Sequence, residues 1–143
     1  MIRAGVVEHP IDVGSLITEA SDPGNGAATV FLGTVRNGND GRDVTGIDYS
    51  AYARMAVDEM TRILGEACDR YGIESAIIEH RTGTLSVGDV SIAVVTAAPH
   101  RRAAMDALHY IVEETKARAP IWKLEHYTDG TREWVGAGSA AAR

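Results

Sequence analysis

The stretch Val90-Ser-Ile-Ala-Val-Val-Thr-Ala-Ala98 decides the fold because it is apolar at nearly every position. Strands with one face in solvent alternate apolar and polar residues, whereas strands inside a covered sheet read as continuous apolar runs. We therefore predict that residues 90–98 form a central strand. Since other strands must lie beside it, the fold is organised outward from this segment.

The segment that follows predicts a helix and then another strand. Residues 103–118 have helical periodicity, and Pro120 ends the helix by forcing Ala119 out of helical geometry. Residues 121–127 resume as a strand, which an Asp-Gly turn reverses toward Trp134-Val135. The residues expected to face inward from the helix are Met105, Leu108, Ile111, Val112 and Thr115.

The clearest helix covers residues 53–71, and Gly72 ends it. Its apolar residues recur at i, i+3 and i+4 spacing on one face. They are Met55, Ala56, Met60, Ile63, Leu64, Ala67, Cys68 and Tyr71. Since Cys68 lies on this face, we expect a buried structural thiol and not a reactive one.

The remaining elements are predicted from apolar runs bounded by turn residues. A short strand is expected at residues 1–7 and a short helix at 12–20, followed by a loop. Strands at 27–35 and 44–52 are separated by a polar, glycine-rich connection, which predicts a hairpin with a long tip. A further strand is expected at 73–81, joined through Gly83 and the turn 87–89 to the central strand.

Length and composition favour one domain over residues 1–143, with a small-residue tail at 136–143 that we expect to fray. The net charge of −6 argues against a general binder of nucleic acids or anionic membranes, so any anion site must be a local pocket. The one cysteine fits a reducing compartment, and no apolar run approaches the roughly 20 residues of a membrane span. Without a signal-peptide pattern, the expected location is the cytoplasm.

The number and position of the lysines indicate a catalytic role. The chain contains twelve arginines but only two lysines, Lys116 and Lys123, which lie seven residues apart on either side of Pro120. A desolvated lysine amine can lose its proton and act as base, acid or nucleophile, whereas guanidinium stays charged. Lysine retained only here indicates a role that arginine cannot fill. The alternative is two surface lysines, with Lys123 an ordinary cation on a strand.

A second cluster, Pro99-His-Arg-Arg102, lies where the central strand meets the next helix. Cations at a helix N-terminus oppose the helix dipole, an arrangement that makes sense if an anion lies among them and also binds free backbone N–H groups. The sequence therefore predicts a phosphate or carboxylate site, against the alternative of a solvated basic turn. Arg36, at the end of a strand in the glycine-rich stretch 33–41, could also reach an anion or simply be solvated.

No cofactor and no metal site are expected, because the histidines lack ligand spacing and there is one cysteine. The stretch 33–41 is not a P-loop either, since it lacks the Gly-Lys-Ser/Thr ending.

Five stretches follow one another in a recognisable order: Val30-Phe-Leu-Gly-Thr-Val-Arg-Asn37, Tyr49-Ser-Ala-Tyr52 with Met55-Ala56, His80-Arg-Thr-Gly-Thr-Leu-Ser-Val-Gly88, Pro99-His-Arg101, and Lys116-Ala-Arg-Ala-Pro-Ile-Trp-Lys-Leu-Glu125. Over about residues 26–135 they resemble the catalytic (large) subunit of molybdopterin synthase. Three positions depart from the family pattern. Ser50 stands where glutamate is usual, Leu124 replaces a commonly basic residue, and Gly138 lies where some relatives have arginine.

The resemblance implies an α+β fold: a single-domain α/β hammerhead with an additional antiparallel β subdomain and two main helices packed on a mixed sheet. It implies a sulfurtransferase that converts cyclic pyranopterin monophosphate into the dithiolene molybdopterin, with sulfur from the thiocarboxylate of a small ubiquitin-like subunit ending in Gly-Gly. It also implies a homodimer with one small subunit at each end, a heterotetramer.

By position, Lys116 and Lys123 match the family's catalytic lysines, while Arg36, His100 and Arg101 match its anion-pocket residues. The mechanistic hypothesis is that Lys116 transfers protons or attacks the thiocarboxylate carbon while Lys123 stabilises developing negative charge. The alternative function is a non-catalytic α+β module that binds a phosphorylated metabolite and regulates a partner.

Overall fold

The computed structural model describes residues 1–136. Its helices are α1 (Val13–Ala20), α2 (Ala53–Tyr71) and α3 (Arg101–Arg118). Its strands are β1 (Ile2–Val7), β2 (Ala27–Thr34), β3 (Gly38–Asn39), β4 (Arg42–Ala51), β5 (Ser75–Arg81), β6 (Gly83–Ser86), β7 (Val90–Ala98), β8 (Ile121–Tyr127) and β9 (Arg132–Gly136). The predicted tail begins at Gly136, which is the last residue of β9, and residues 137–143 lie outside the described part.

The first sheet has the strand order β1-β5-β7-β2. β1 is parallel to β5, and the other two pairings are antiparallel, so the sheet is mixed. Val94 of β7 lies opposite Phe31 on one side and Ile78 on the other. The prediction that β7 is a central strand is therefore confirmed, and its continuous apolar sequence reflects helices on both faces of the sheet.

The two long helices α2 and α3 pack on one face of this sheet, and α1 packs on the other. The larger core joins Met60, Ile63 and Leu64 of α2 to Ala104, Ala107 and Ile111 of α3 over Ile78 and Val94. On the opposite face, Leu16 and Ala20 of α1 cover Ile77, Ala93 and Val95. Two main helices on a mixed sheet are what the resemblance implies.

The ends of the long helices follow from local chemistry. Gly72 ends α2 with a positive φ of 67°, the left-handed conformation that glycine adopts without a steric penalty. Ala119 ends α3 in extended geometry because it precedes Pro120. The predicted bounds of α2 are confirmed, and α3 begins two residues before its predicted start.

The second sheet has the order β3-β4-β8-β9, with β6 also paired to β4. All its pairings are antiparallel, so it forms the additional antiparallel subdomain. It has its own small core of Val35, Val44, Ile47, Leu85 and Tyr127. β4 and β6 approach closely at Gly46, where an added Cβ would lie 2.9 Å from the carbonyl oxygen of Leu85.

The predicted hairpin between residues 27–35 and 44–52 is wrong. β2 pairs with β7 in the first sheet, whereas β4 pairs with β3, β6 and β8 in the second. The hairpin that does form is β3–β4, turned by Asp40 and Gly41, which both have positive φ. An Asp-Gly pair is a strong signal for this tight turn. The strand β6 was not predicted, since its four residues were interpreted as part of a connection.

Two methionines expected on buried helix faces are exposed instead. Met55 is 61% exposed and Met105 is 56% exposed. The buried neighbours are Ala56 after Met55 and Ala104 before Met105, so each methionine lies about 100° around its helix from a residue that faces the core. Among residues 1–136 no helix is long and apolar enough to cross a membrane.

Candidate functional site

Lys116 lies in the last turn of α3, on the exposed surface. Within residues 1–136 its ammonium group has no ion-pair or hydrogen-bond partner. The backbone beneath it is well fixed, because the neighbouring Thr115 is buried and Ala119 N–H donates to the Thr115 carbonyl at 3.0 Å. A lysine with a fixed backbone and a free amine is available to react with a bound molecule.

Arg118, the last residue of α3, forms hydrogen bonds that connect this helix to α2. Its guanidinium donates to Glu59 at 2.7 Å and to both oxygens of Glu66 at 2.7 and 3.0 Å. It also donates to Glu114 at 3.1 Å, an i,i+4 neighbour in the same helix. These bonds explain why this cation is arginine, since a planar fork can satisfy several carboxylates at once.

Lys123 lies in the middle of β8, opposite Tyr49 of β4 and Val135 of β9. Its side chain is 27% exposed, and its Nζ lies 3.3 Å from Oε1 of Glu125. Glu125 is two residues further along the strand and therefore on the same face. Glu125 and Tyr127 are both buried, so the face that Lys123 shares is the inner one.

The carboxylate of Glu125, beside Lys123, is held by hydrogen bonds from two other residues. Its second oxygen, Oε2, accepts from the amide of Asn39 at 2.6 Å and from the hydroxyl of Tyr127 at 2.8 Å. Burial raises the pKa of Glu125, but these two hydrogen bonds and the charge of Lys123 outweigh it, and the net pKa lies below its ordinary value. Conversely, donating to this carboxylate raises the pKa of Tyr127. Glu125 is thus ionised and oriented at neutral pH.

Arg36 is exposed in the connection between β2 and β3. The residues before and after it, Val35 and Asn37, are both held by contacts with the second sheet. Val35 belongs to the core of the second sheet, and the carbonyl of Asn37 accepts from Val44 N–H at 2.9 Å. The structure therefore places Arg36 at the junction of the two sheets, with the sheet that carries Lys123.

His100 and Arg101 lie at the other end of α3. With Arg102, Met105 and Asp106 they line an open cleft of about 670 Å³. His100 is the N-cap residue but makes no side-chain capping bond, and no acidic residue lies in the first turn. Backbone N–H groups and cations at a helix N-terminus both favour anions, and the anion site expected here from the sequence stays a prediction.

The five candidate residues do not meet in one pocket of one chain. Arg101 and Lys116 are fifteen positions apart on one continuous helix, which corresponds to about 22 Å at 1.5 Å per residue. Lys116, Lys123 and Arg36 belong to the end of the molecule near the second sheet, whereas His100 and Arg101 belong to the opposite end of α3. The resemblance groups these residues by function, but within one chain Arg101 and Lys116 lie far apart.

The remaining reactive side chains do not form another centre. Burial raises the pKa of the Cys68 thiol, which fits the structural role predicted for it. Burial also lowers the pKa of His80 to about 4, so this imidazole is neutral at physiological pH. Across residues 1–136 no group of His, Cys, Asp and Glu side chains is arranged to hold a metal ion.

Comparison with known proteins identifies the family. The model of the MoaE protein family matches residues 6–118, well over half of the chain. The chain belongs to the MoaE family. The molybdopterin synthase catalytic subunit of Pyrococcus abyssi is 43% identical to this MoaE chain, over 93% of this chain and 90% of the relative.

Solved structures agree with this assignment. Molybdopterin synthase from Staphylococcus aureus superposes with a TM-score of 0.88 at 30% identity, over 92% of this MoaE chain and 96% of that chain. A complex of subunits 1 and 2 of molybdopterin-converting factor from Helicobacter pylori has a TM-score of 0.75 at 24% identity, covering 92% and 89% of the two chains. At that identity the second likeness concerns the fold alone.

Sequence reasoning on this MoaE chain missed two residues that contact the lysine site. Asn39 and Tyr127 both bind Glu125, yet neither lies in the five stretches that carry the family resemblance. The alternation of Lys123, Glu125 and Tyr127 along one strand was an available signal for the tyrosine. Asn39 reaches the site only through the β3–β4 hairpin, which the Asp-Gly pair alone could have revealed.

Proposed function

We propose that this chain is the catalytic subunit of a molybdopterin synthase. It transfers sulfur from the C-terminal thiocarboxylate of a small ubiquitin-like subunit to cyclic pyranopterin monophosphate, forming the dithiolene of molybdopterin. The observation that carries this proposal is the 43% identity with such a subunit over about nine-tenths of both chains. The proposal treats residues 1–143 as one domain. The comparisons do not favour the alternative of a non-catalytic binding module.

The two lysines have different surroundings, which supports different roles. Lys116 has an exposed amine without a partner among residues 1–136 and is proposed to transfer protons or attack the thiocarboxylate carbon. Lys123 is held against the buried carboxylate of Glu125 and is proposed to act as a fixed cation that stabilises developing negative charge.

Arg36, His100 and Arg101 are proposed to bind the anionic groups of the reaction, the substrate phosphate or the carboxylate end of the partner. Their exposure and the open cleft at the start of α3 leave the guanidinium and imidazole groups accessible. Phosphate and carboxylate are recognised well by arginine, which offers two parallel N–H donors. This role makes the site a local basic pocket in a protein of net charge −6.

We also propose that the chain works as a homodimer whose sites draw on both copies. Arg101 and Lys116 of one chain lie about 22 Å apart along α3, too far to hold one small substrate together. A second copy can bring its own α3 N-terminus to the lysine end of the first. The small sulfur-carrier subunit then docks once on each copy, giving the heterotetramer.

Mixing two variants tests this shared site, at a substrate concentration low enough that the weakened binding of Arg101→Ala leaves it inactive. If Lys116→Ala and Arg101→Ala homodimers exchange subunits at random, each mixed dimer keeps one intact site, and about a quarter of wild-type activity returns. If each site is built from one chain, both sites of the mixed dimer carry a mutation and no activity returns. Each variant alone, carried through the same exchange, is the control.

The proposed location is the cytoplasm, on the basis of the single buried Cys68, which fits a reducing compartment.

Reconstitution tests the activity itself. The purified chain is incubated with cyclic pyranopterin monophosphate and a thiocarboxylated small subunit, and the dithiolene product is measured after oxidation to a fluorescent pterin. Product that requires all three components is the expected result. Binding of the pterin and of the small subunit without any dithiolene would favour the binding module instead.

A further inference from the structure

A row of four side chains leads from the β3–β4 hairpin to Lys123. The guanidinium of Arg42 lies 3.5 Å from the centre of the Tyr127 ring. The Tyr127 hydroxyl donates to Glu125, whose other oxygen contacts Lys123. Asn39 joins the row at Glu125 from the same hairpin. Because Lys123 is the last member, the row ends at a residue proposed to act in sulfur transfer.

The two donors bind the same carboxylate oxygen. Both Asn39 and Tyr127 reach Oε2 of Glu125, and Oε1 is left for the Lys123 ammonium at 3.3 Å. A buried carboxylate needs hydrogen-bond donors, but these could bind either of its oxygens. Here both neutral donors bind Oε2, so that Oε1 accepts from neither of them. The arrangement fixes the side-chain torsions of Glu125 and aims one oxygen at the lysine.

The outer part of the row is itself restrained. Arg42 pairs with Glu133 at 3.0 Å and donates to the hydroxyl of Thr131, so its guanidinium is held over the tyrosine ring from β9 and the turn before it. Asp40 and Gly41, with φ of 49° and 75°, turn the hairpin so that Asn39 and Arg42 lie opposite each other. The hairpin therefore presents both residues to β8 as one unit.

We propose that Tyr127 and Asn39 are positioning residues for sulfur transfer, which hold Glu125 so that its free oxygen fixes the Lys123 ammonium. This inference rests on the role proposed for Lys123. Neither residue needs to touch the substrate. Their contribution is to keep a flexible lysine in one place, since a catalytic cation that must be reordered in each turnover loses part of its effect.

Substitution of the donors tests the inference by kinetics. Tyr127→Phe keeps the ring beneath Arg42 and removes only the hydroxyl, and Asn39→Ala removes the other donor. We expect each to lower kcat for dithiolene formation about tenfold with little change in KM, because a charge-assisted hydrogen bond is lost. The matched control is Tyr110→Phe, which removes a similar 2.7 Å bond from a phenol to a carboxylate, Glu66, that does not contact Lys123, and it should retain wild-type kcat.

A double substitution separates positioning from general damage. If Tyr127 acts through Lys123, then Tyr127→Phe lowers kcat in the wild type but has no further effect in a Lys123→Ala background. A tyrosine that only supports the fold would lower kcat by the same factor in both backgrounds. That second result would overturn the inference.

A measurement independent of activity uses the fact that the chain has only two lysines. With ¹³C-labelled lysine, the Cε–Hε signals of Lys123 should show two resolved protons in the wild type, as in an immobilised side chain, and should merge in Tyr127→Phe and in Asn39→Ala. The Lys116 signals should be unaffected and serve as the internal control. Unchanged Lys123 signals in both variants would refute the positioning role.

The two readouts also separate this inference from the proposed function. If Lys123→Ala transfers sulfur at the wild-type rate, the role of Lys123 is wrong, although the spectra can still show that it is held. If Lys123→Ala is inactive while both donor variants keep the wild-type kcat and spectra, the proposed function stands and the positioning role fails.

Discussion

Replacing Arg118 with alanine should destabilise the protein, because it removes the ion pairs that connect the two long helices, α2 and α3. Arg118 joins α3 to α2 through Glu59 and Glu66, and it also pairs with Glu114 of its own helix. Its side chain is 27% exposed. The substitution removes all of these bonds and leaves Arg62, which pairs with Glu59, as the remaining cation bonded to any of the three carboxylates among the described residues.

The magnitude follows from the geometry. Exposed ion pairs contribute about 0.2–1 kcal/mol each, and hydrogen bonds to buried charges about 1.5–3 kcal/mol. Three partly exposed pairs, each contributing about 0.7 kcal/mol after screening by solvent, give a loss of about 2 kcal/mol in the free energy of unfolding at pH 7. For a chain of 143 residues this lowers Tm by about 6 °C.

The loss should depend on pH in a defined direction. Hydrogen bonding to Arg118, followed by that to Tyr110, lowers the pKa of Glu66 from 4.5 to about 2. A carboxyl group whose pKa is lower in the folded state contributes stability above its unfolded pKa and loses it as the pH falls through the folded pKa. The difference between wild type and Arg118→Ala should therefore be full above about pH 5 and shrink steadily as the pH falls toward 2.

Urea denaturation at pH 7 and at pH 3 measures both effects. The matched control is Arg62→Ala, because Arg62 is 62% exposed and pairs with Glu59 alone among the described residues. Its loss should stay below about 0.5 kcal/mol at either pH. The reasoning is refuted if Arg118→Ala is no more destabilising than Arg62→Ala, or if its effect is as large at pH 3 as at pH 7.

Two further predictions concern the anion cleft and the second sheet. Arg101→Ala should weaken binding of the phosphorylated substrate or the partner tail by about 1.5–3 kcal/mol, measured by calorimetry, with Tm nearly unchanged because this cation opposes the helix dipole. A folded variant with unaltered affinity would place the anion site elsewhere. Gly46→Ala should lower the free energy of unfolding by about 1–3 kcal/mol, since its Cβ would lie 2.9 Å from the Leu85 carbonyl oxygen. Gly65→Ala, in the middle of α2 with open space at its Cβ, should be neutral or stabilising in the same denaturation series.

The elements of this fold could be predicted where local chemistry determines them. The apolar spacing of α2 and the glycine after it define both of its ends, and β7 is recognisable because continuous burial removes alternation. Short elements such as β3 and β6 were missed, since two or four residues carry too little periodicity to distinguish a strand from a loop.

Strand pairing could not be predicted from such patterns. Periodicity shows which residues of β2 and β4 are buried, but not which strands lie beside them. β2 instead pairs with β7, and its residue Ala27 lies opposite Ala98, far along the chain. The exposure of Met105 has another origin. Its neighbour Ala104 is fully buried and lies about 100° away around the helix, and the apolar spacing alone does not show which of the two residues faces the sheet.

For the candidate site, the sequence identified residues but not their distribution. Motif resemblance selected Lys116 and Arg101, and only the continuous helix between them shows that they lie at opposite ends of α3. Likewise, the pairing of Lys123 with Glu125 follows from strand alternation, whereas the contribution of Asn39 depends on a hairpin folded back from another part of the chain.

The most direct test of the central claim is single-turnover sulfur transfer at saturating thiocarboxylated partner, comparing the wild type with Lys116→Ala and Lys116→Arg. We expect dithiolene from the wild type and rates lower by about 10²-fold or more in both variants, since guanidinium cannot give up a proton at working pH. Binding of the small subunit should persist in both variants. An arginine variant with a near-wild-type rate would reduce Lys116 to an electrostatic anchor, and a wild type that forms no dithiolene would contradict the account as a whole.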